Sequence, residues 1–330
     1  AGHAGRWGIT MLRGFAGLIC AGVVLCPLYT DNAQAAEGAA SFYLLGSKNA
    51  QAGIIPPPGV YLQSDDYYYT GDASGSGAFE IGDVTVQAGF EVEADAYYKL
   101  LTPLVGTTLT VLGGNFGFGM IVPIGWKDVF AAGNLSAGDV ALRQTFRDDE
   151  AAFGDPVASA FVGWNRGNWH WNVGALVNIP IGEWDEGALA NIGFNRWGLD
   201  LNGAITWLDP AIGLDLSAAA GFTFHAENPD TGYQSGNEFH LEFAAVQNFS
   251  PQFSAGVVGY YYEQISADSG GPPALGDFKG RVTAVGPFVG YNFQIGETPV
   301  STRLRWYHEF DAKNRLEGDA AFFTVFVPVQ

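Results

Sequence analysis

From residue 59 onward the chain falls into segments of roughly a dozen residues in which apolar and polar side chains alternate, the two-residue period of β-strands. Trp197, Leu199, Leu201, Ile205 and Trp207 stand against Arg196, Asp200, Asn202 and Thr206. Each strand therefore has one apolar and one polar face, and the fold depends on which solvent each face meets. In a soluble sandwich the apolar face meets a second sheet. In a membrane barrel it meets lipid, and the polar face lines a lumen.

The polar rows separate these alternatives. Glu91, Glu93 and Asp95 share one face, as do Arg303, Arg305, Tyr307 and Glu309. Burying such charges in a dry sandwich costs on the order of several kcal/mol each, whereas a hydrated lumen removes that cost. The opposite rows, expected to face lipid, include Val84, Val86, Phe90 and Val92; Val173, Ala175, Val177 and Ile179; Leu214, Leu216 and Phe222; and Val300, Leu304 and Trp306. No stretch after the leader supplies the eighteen or more apolar residues of a spanning helix, about the minimum length for one, so any crossing is made by strands.

Residues 11–36 have the form of a secretory signal: Met11 and Arg13, an apolar run from Phe15 to Leu28, then Ala33-Gln34-Ala35 before a cleavage point at Ala36. Residues 1–10 precede the methionine and read as an upstream remnant. Both cysteines, Cys20 and Cys26, fall inside this leader, so the mature chain has no thiol chemistry. The expected destination is the bacterial outer membrane. With 46 glycines, 14% aromatic and 15% charged residues, the composition suits a barrel better than a soluble domain. An excess of 34 acidic over 15 basic residues argues against nucleic acid, which needs clustered lysine and arginine.

Strands are expected at 59–70, 84–101, 108–124, 155–167, 169–181, 194–208, 212–226, 236–249, 253–266, 279–294, 299–311 and 316–329, twelve in all. Short links follow the even-numbered strands, with turn chemistry such as Gly167-Asn168, Asp209-Pro210 and Ser250-Pro251. Longer links generally follow the odd ones, the longest running from Gly125 to Gly154. Short turns at one end and long loops at the other are the asymmetry of an outer-membrane up-and-down β-barrel, an all-β antiparallel fold. Trp164, Trp169, Trp171 and Trp207 lie beside the short turns, where indoles form an aromatic girdle at the lipid headgroups.

Three regions follow: the leader at 1–36, an N-terminal lead-in or lumen segment at 37–58, and the barrel at 59–330. The segment holds Phe42, Tyr43, Leu44, Leu45, Ile54 and Ile55, which favour leaving water, and ends in Pro56-Pro57-Pro58, which rules out a central strand. Partial entry into the lumen is the favoured placement.

The lumen candidates are Glu91, Glu93, Asp95, Asp200, Glu242 and Glu309 with Arg196, Arg303 and Arg305. Opposed charges of this kind either set a transverse field that orients solutes or cross-brace and close the interior, and both readings stay open. His170, His225, His240 and His308 fall on separate strands with no metal-ligand spacing, so no metal and no cofactor are expected. Arg147, Asp148, Asp149 and Glu150 in the longest link are either a solvated run or a place for divalent ions shared with lipopolysaccharide. Asp268-Ser269-Gly270-Gly271 lacks catalytic partners and reads as a loop tip. In Gly113–Gly119, glycine and aromatic residues alternate, so that Gly117 and Gly119 leave room inside while Phe116 and Phe118 face lipid.

Several stretches resemble a bacterial outer-membrane transporter family labelled for the MetA pathway of phenol degradation. They are Ser41-Phe42-Tyr43-Leu44-Leu45-Gly46, Pro56-Pro57-Pro58-Gly59-Val60-Tyr61, Trp169-His170-Trp171-Asn172-Val173-Gly174, Phe239-His240-Leu241-Glu242 and His308-Glu309-Phe310-Asp311 with Asn314-Arg315-Leu316-Glu317-Gly318. The resemblance spans residues 41 to 329 and implies a barrel that handles aromatic or other hydrophobic compounds, without established binding residues. One departure is the end Val327-Pro328-Val329-Gln330, which lacks the terminal aromatic common in such barrels. The expected protein is a monomeric, non-enzymatic channel for small hydrophobic or aromatic solutes, surrounded by outer-membrane lipid and lipopolysaccharide. A lipid-modifying enzyme or a structural or adhesive barrel are the alternatives.

Overall fold

A computed structural model of the chain describes residues 41–81, 84–137, 140–270 and 279–329. The expected leader and residues 37–40 lie outside them. The described strands are β1 (Gly59–Ile81), β2 (Val84–Val111), β3 (Gly114–Ala137), β4 (Val140–Phe153), β5 (Val157–Arg166), β6 (Trp169–Asn178), β7 (Gly198–Asp209), β8 (Leu214–His225), β9 (Glu238–Asn248), β10 (Phe253–Gln264), β11 (Arg281–Ile295), β12 (Thr298–Lys313) and β13 (Glu317–Val329).

Twelve of these strands close into a ring. Successive strands pair antiparallel, β3 skips β4 to pair with β5, and β13 returns to β1 with Val60 opposite Val329 and Asp72 opposite Glu317. Closure leaves the ring no unpaired edge, so its backbone groups pair within the sheet rather than with water. Tight turns close one end: Leu112 and Gly113 both take positive φ between β2 and β3, the backbone that suits the twist of a two-residue hairpin.

The thirteenth strand corrects the sequence reading. Residues 140–153, expected as part of a long loop, form β4 and pair with β3 from Ile124 opposite Phe153 to Ala137 opposite Val140. β1 pairs with β13 only as far as Asp72, while its pairing with β2 runs on to Ile81. β1, β2, β3 and β4 therefore continue beyond the ring as a ribbon on the long-loop side.

Inward and outward faces follow the alternation for most of the ring. Leu199, Leu201, Ile205, Val173, Leu216, Phe222, Leu304 and Trp306 are exposed on the outer wall, while Asp200, Asn202, Ala204 and Thr206 are buried inside. Phe118 is exposed on the outer face, and a Cβ on Gly117 would lie 2.4 Å from the inward Phe161 ring. Trp164 faces Trp171 and Trp169 faces Trp207 across strand pairs at the short-turn end, with the Trp164 and Trp171 rings stacked 6.4 Å apart.

β2 is the exception. Tyr67 and Tyr69 on β1 point inward, and unbroken register places Tyr98, Val92, Phe90 and Val86 on that same face, with Val86 buried. Glu91, Glu93 and Asp95 consequently point outward, the reverse of the expected lumen placement, and Val86, Phe90 and Val92 do not face lipid; the Val84 side chain lies outside the described residues. The physical reason is the ribbon. Beyond the ring the outward face of the sheet is exposed and charged while the loop between β6 and β7 packs on its inner face, so a charged row no longer identifies the lumen.

Candidate functional site: the lumen and its N-terminal segment

β9 supplies the centre of the interior, because Glu238, His240 and Glu242 alternate inward along it and all three are buried. β7 and β8 extend this polar arc with Asp200, Asn202, Thr206, Asp215, Ser217 and Thr223. Its charges are matched locally. Asp200 accepts from Asn202 at 2.7 Å and Thr223 at 2.8 Å and lies 2.7 Å from His240 Nε2. His225 Nε2 lies 3.2 Å from Glu238, which also accepts the Tyr262 hydroxyl at 3.0 Å.

Residues 41–58 run the length of this interior. At the long-loop end the Ser41 hydroxyl donates to Glu238 at 2.5 Å, and the Phe42 ring fills the space a Cβ on Gly198 would need. Lower down, Glu242 accepts the Tyr43 hydroxyl at 3.1 Å and the Gly46 N–H at 3.2 Å, while Tyr307 donates to the Gly46 carbonyl at 3.1 Å. Gly46 has φ +82°, and a Cβ there would lie 2.7 Å from the Tyr307 ring. Gln51 N–H donates to Ser217, Gly53 N–H donates to Thr206 at 2.9 Å, and Asn172 donates to the Ala52 carbonyl at 2.8 Å. At the turn end Ile55 packs beside Gly163, and the Pro57 carbonyl sits over Gly106. Leu44, Leu45 and Ala50 pack against the apolar arc formed by Val258, Tyr260, Phe288, Tyr307 and Phe322.

Arg303 clamps the middle of the segment, donating to Asn49 Oδ1, the Ala50 carbonyl and Gln51 Oε1 at 3.1 to 3.2 Å. Arg305 donates to Thr324 at 3.1 Å, stands 3.8 Å from Asp65 and lies over the Phe322 ring. Glu309 accepts the hydroxyls of Tyr69 and Tyr260 and the Gly318 N–H. Arg196 is buried, with its carbonyl accepting from Asn178 and its guanidinium 5.5 Å from the Phe194 ring. Six of the nine sequence candidates thus lie in the interior, Arg196, Asp200, Glu242, Arg305 and Glu309 buried and Arg303 half-buried.

The remaining three, Glu91, Glu93 and Asp95, line a shallow outward depression with Asp128, Phe130, Arg143 and Arg147. Arg143 pairs with Glu91 at 3.1 Å and Arg147 with Asp128 at 2.6 Å. The hydrogen bonds from Arg147 hold the Asp128 carboxyl below its ordinary range. Asp148 does not join this depression, because it accepts the Leu189 and Ala190 N–H groups. Among the described residues, no three histidine, cysteine or acidic side chains gather as a metal-binding group.

Sequence reasoning passed over Tyr43, Glu238, His240 and Tyr307 as one unit. The signal was present in two short stretches, 41–46 and 239–242, separated by nearly two hundred positions in the chain yet touching in the fold.

The profile of the family described as "Putative MetA-pathway of phenol degradation" matches residues 59–325. The chain belongs to this family. Its fold is similar to the COG4313 outer membrane channel from Pseudomonas putida F1, with a TM-score of 0.58 and 15% identity, covering 87% of this chain and 100% of that one. More distant similarity extends to the CymD monoaromatic hydrocarbon channel, with a TM-score of 0.36 and 8% identity over 83% of this chain and 90% of that one. A Pseudomonas aeruginosa FadL homologue stands at 0.39 and 11%, over 84% and 92%. The first establishes the outer-membrane barrel fold, and the other two are too distant to carry an argument. No curated protein sequence matches the chain.

Proposed function

We infer that this family member is a channel of the bacterial outer membrane that passes small hydrophobic or aromatic solutes by passive diffusion, with residues 41–58 setting the width of the path. The observation that carries this reading is the segment threaded through a polar-lined interior and held there by single hydrogen bonds rather than by continuous strand pairing. Each such bond contributes about 1 kcal/mol net, so local release costs far less than unfolding the barrel. The family and the channel fold support the same reading. In this picture the chain works as a monomer, with its outer wall against lipid and its ribbon among lipopolysaccharide headgroups.

The test is conductance in planar bilayers of the full chain and of a variant lacking residues 41–54, alongside growth of cells with and without the gene on phenol or toluene. Current that rises in the deletion, with growth that depends on the gene, is the expected result. Absence of current from both proteins, with growth unaffected, overturns the channel.

A further inference from the structure

The inward tyrosines of the wall fall into two groups. Tyr61 donates to the Pro57 carbonyl, Tyr69 and Tyr260 to Glu309, Tyr262 to Glu238 and Tyr307 to the Gly46 carbonyl. Tyr67 and Tyr98 are different. They are direct cross-strand partners, their rings lie 6.3 Å apart, and neither hydroxyl has a hydrogen-bond partner among the described residues. Both are half-buried on the inward face of the wall.

Their rings are fixed from behind. Tyr67 packs at 4.7 Å on Phe322, and the Tyr98 ring occupies the space above Gly125, where a Cβ would lie 2.4 Å away. Ile192, from the loop between β6 and β7, reaches the same glycine, and Lys127 ties that loop down by donating to the Asn191 carbonyl at 2.5 Å. Of the nearby charges, Asp65 is engaged by Thr324 and Gln63, Glu309 by Tyr69 and Tyr260, and Arg305 by Thr324, while the Arg315 guanidinium lies 4.5 Å over the Tyr262 ring. What the wall offers at this point is two aromatic faces and two hydroxyls, each able to donate and to accept.

We propose that Tyr67 and Tyr98 form a subsite for a neutral, hydroxylated monoaromatic solute, whose ring packs on theirs and whose hydroxyl replaces water on one or both phenols. This rests on the channel reading and adds the preference that a plain hydrophobic path lacks. Ring packing alone would accept toluene as readily as phenol. A hydroxyl pair left waiting for a partner favours the solute that can supply one.

The experiment is calorimetric titration of phenol and of toluene into the detergent-solubilised full chain, with micelle-only blanks, for the wild type and for the Tyr67→Phe/Tyr98→Phe double variant. The double variant keeps both rings and their packing. Wild type is expected to bind phenol about tenfold more tightly than toluene, and the double variant to bind both equally, through loss of phenol affinity alone. Equal phenol affinity in the two proteins, or no phenol preference in wild type, overturns the subsite. Bilayer current from the same preparations reports separately on the channel, because hydroxyl-dependent binding does not require conduction.

Discussion

The Tyr43 ring stacks on His240 at a centroid distance of 3.6 Å and an interplanar angle of 18°, while its hydroxyl donates to Glu242 two residues along the same strand. One side chain of the lumen segment thus engages a strand through both its face and its tip. Asp200, on the neighbouring arc of wall, holds the histidine at its ring edge, 2.7 Å from Nε2.

Truncation of Tyr43 should therefore loosen the segment more than loss of the hydroxyl alone. Tyr43→Ala removes the stack and the bond, a change worth about 3–5 kcal/mol for a buried aromatic, whereas Tyr43→Phe loses about 1 kcal/mol. In planar bilayers Tyr43→Ala is expected to give larger and noisier currents, with Tyr43→Phe close to wild type. Identical traces for all three would mean that this contact does not hold the segment.

Arg303 is the second anchor. Its loss in Arg303→Ala removes hydrogen bonds to Asn49, Ala50 and Gln51 at once, worth about 1.5–3 kcal/mol where one partner is charged. The sequence holds two cysteines, Cys20 and Cys26, so Gln51→Cys combined with Cys20→Ser and Cys26→Ser provides a single labelling position. Maleimide labelling there is expected to speed up by roughly tenfold or more when Arg303→Ala is added.

The orientation of β2 separates lipid from water on the outer surface. Leu201→Arg places a cation on the exposed apolar wall and should cost about 2–4 kcal/mol near the bilayer midplane, lowering the temperature at which the folded band is lost on gels. Glu93→Arg, on the outward face of the ribbon, should leave that temperature within a degree or two, since that face is exposed and already carries charge. A comparable loss in the two variants would place Glu93 inside the membrane.

Protonation should act on the ribbon through Asp128. Its carboxyl is held below the ordinary range by Arg147, so this pair contributes fully above that range and is lost only as pH falls through the lowered value. Amide exchange in residues 141–149 is expected to stay protected at mildly acidic pH and to quicken below it, an effect that Asp128→Asn should abolish. Because Arg147 is largely exposed, the change should be confined to the ribbon.

Much of the barrel was legible in the sequence because lipid imposes a local rule. Leu199, Asp200, Leu201 and Asn202 report their faces one residue at a time, and the short turns report which strands are neighbours. The four tryptophans at the short-turn end could be grouped before any coordinates because each sits beside a short turn. That rule ends where the membrane ends. Residues 140–153 form a strand and Glu91, Glu93 and Asp95 face outward because they belong to a ribbon beyond the ring, where alternation no longer distinguishes lumen from lipid.

Strands, their period, closure into a barrel and the polarity of the interior could be read from residue order, since they follow from the spacing of side chains along a chain in contact with two solvents. What occupies that interior emerges from the folded chain alone. The contacts of Tyr43 with His240 and Glu242, of Arg303 with residues 49–51, and the two unpartnered hydroxyls of Tyr67 and Tyr98 arise when strands remote in sequence curl around one axis. No periodicity encodes them, because a period describes a face and not what lies across the lumen from it.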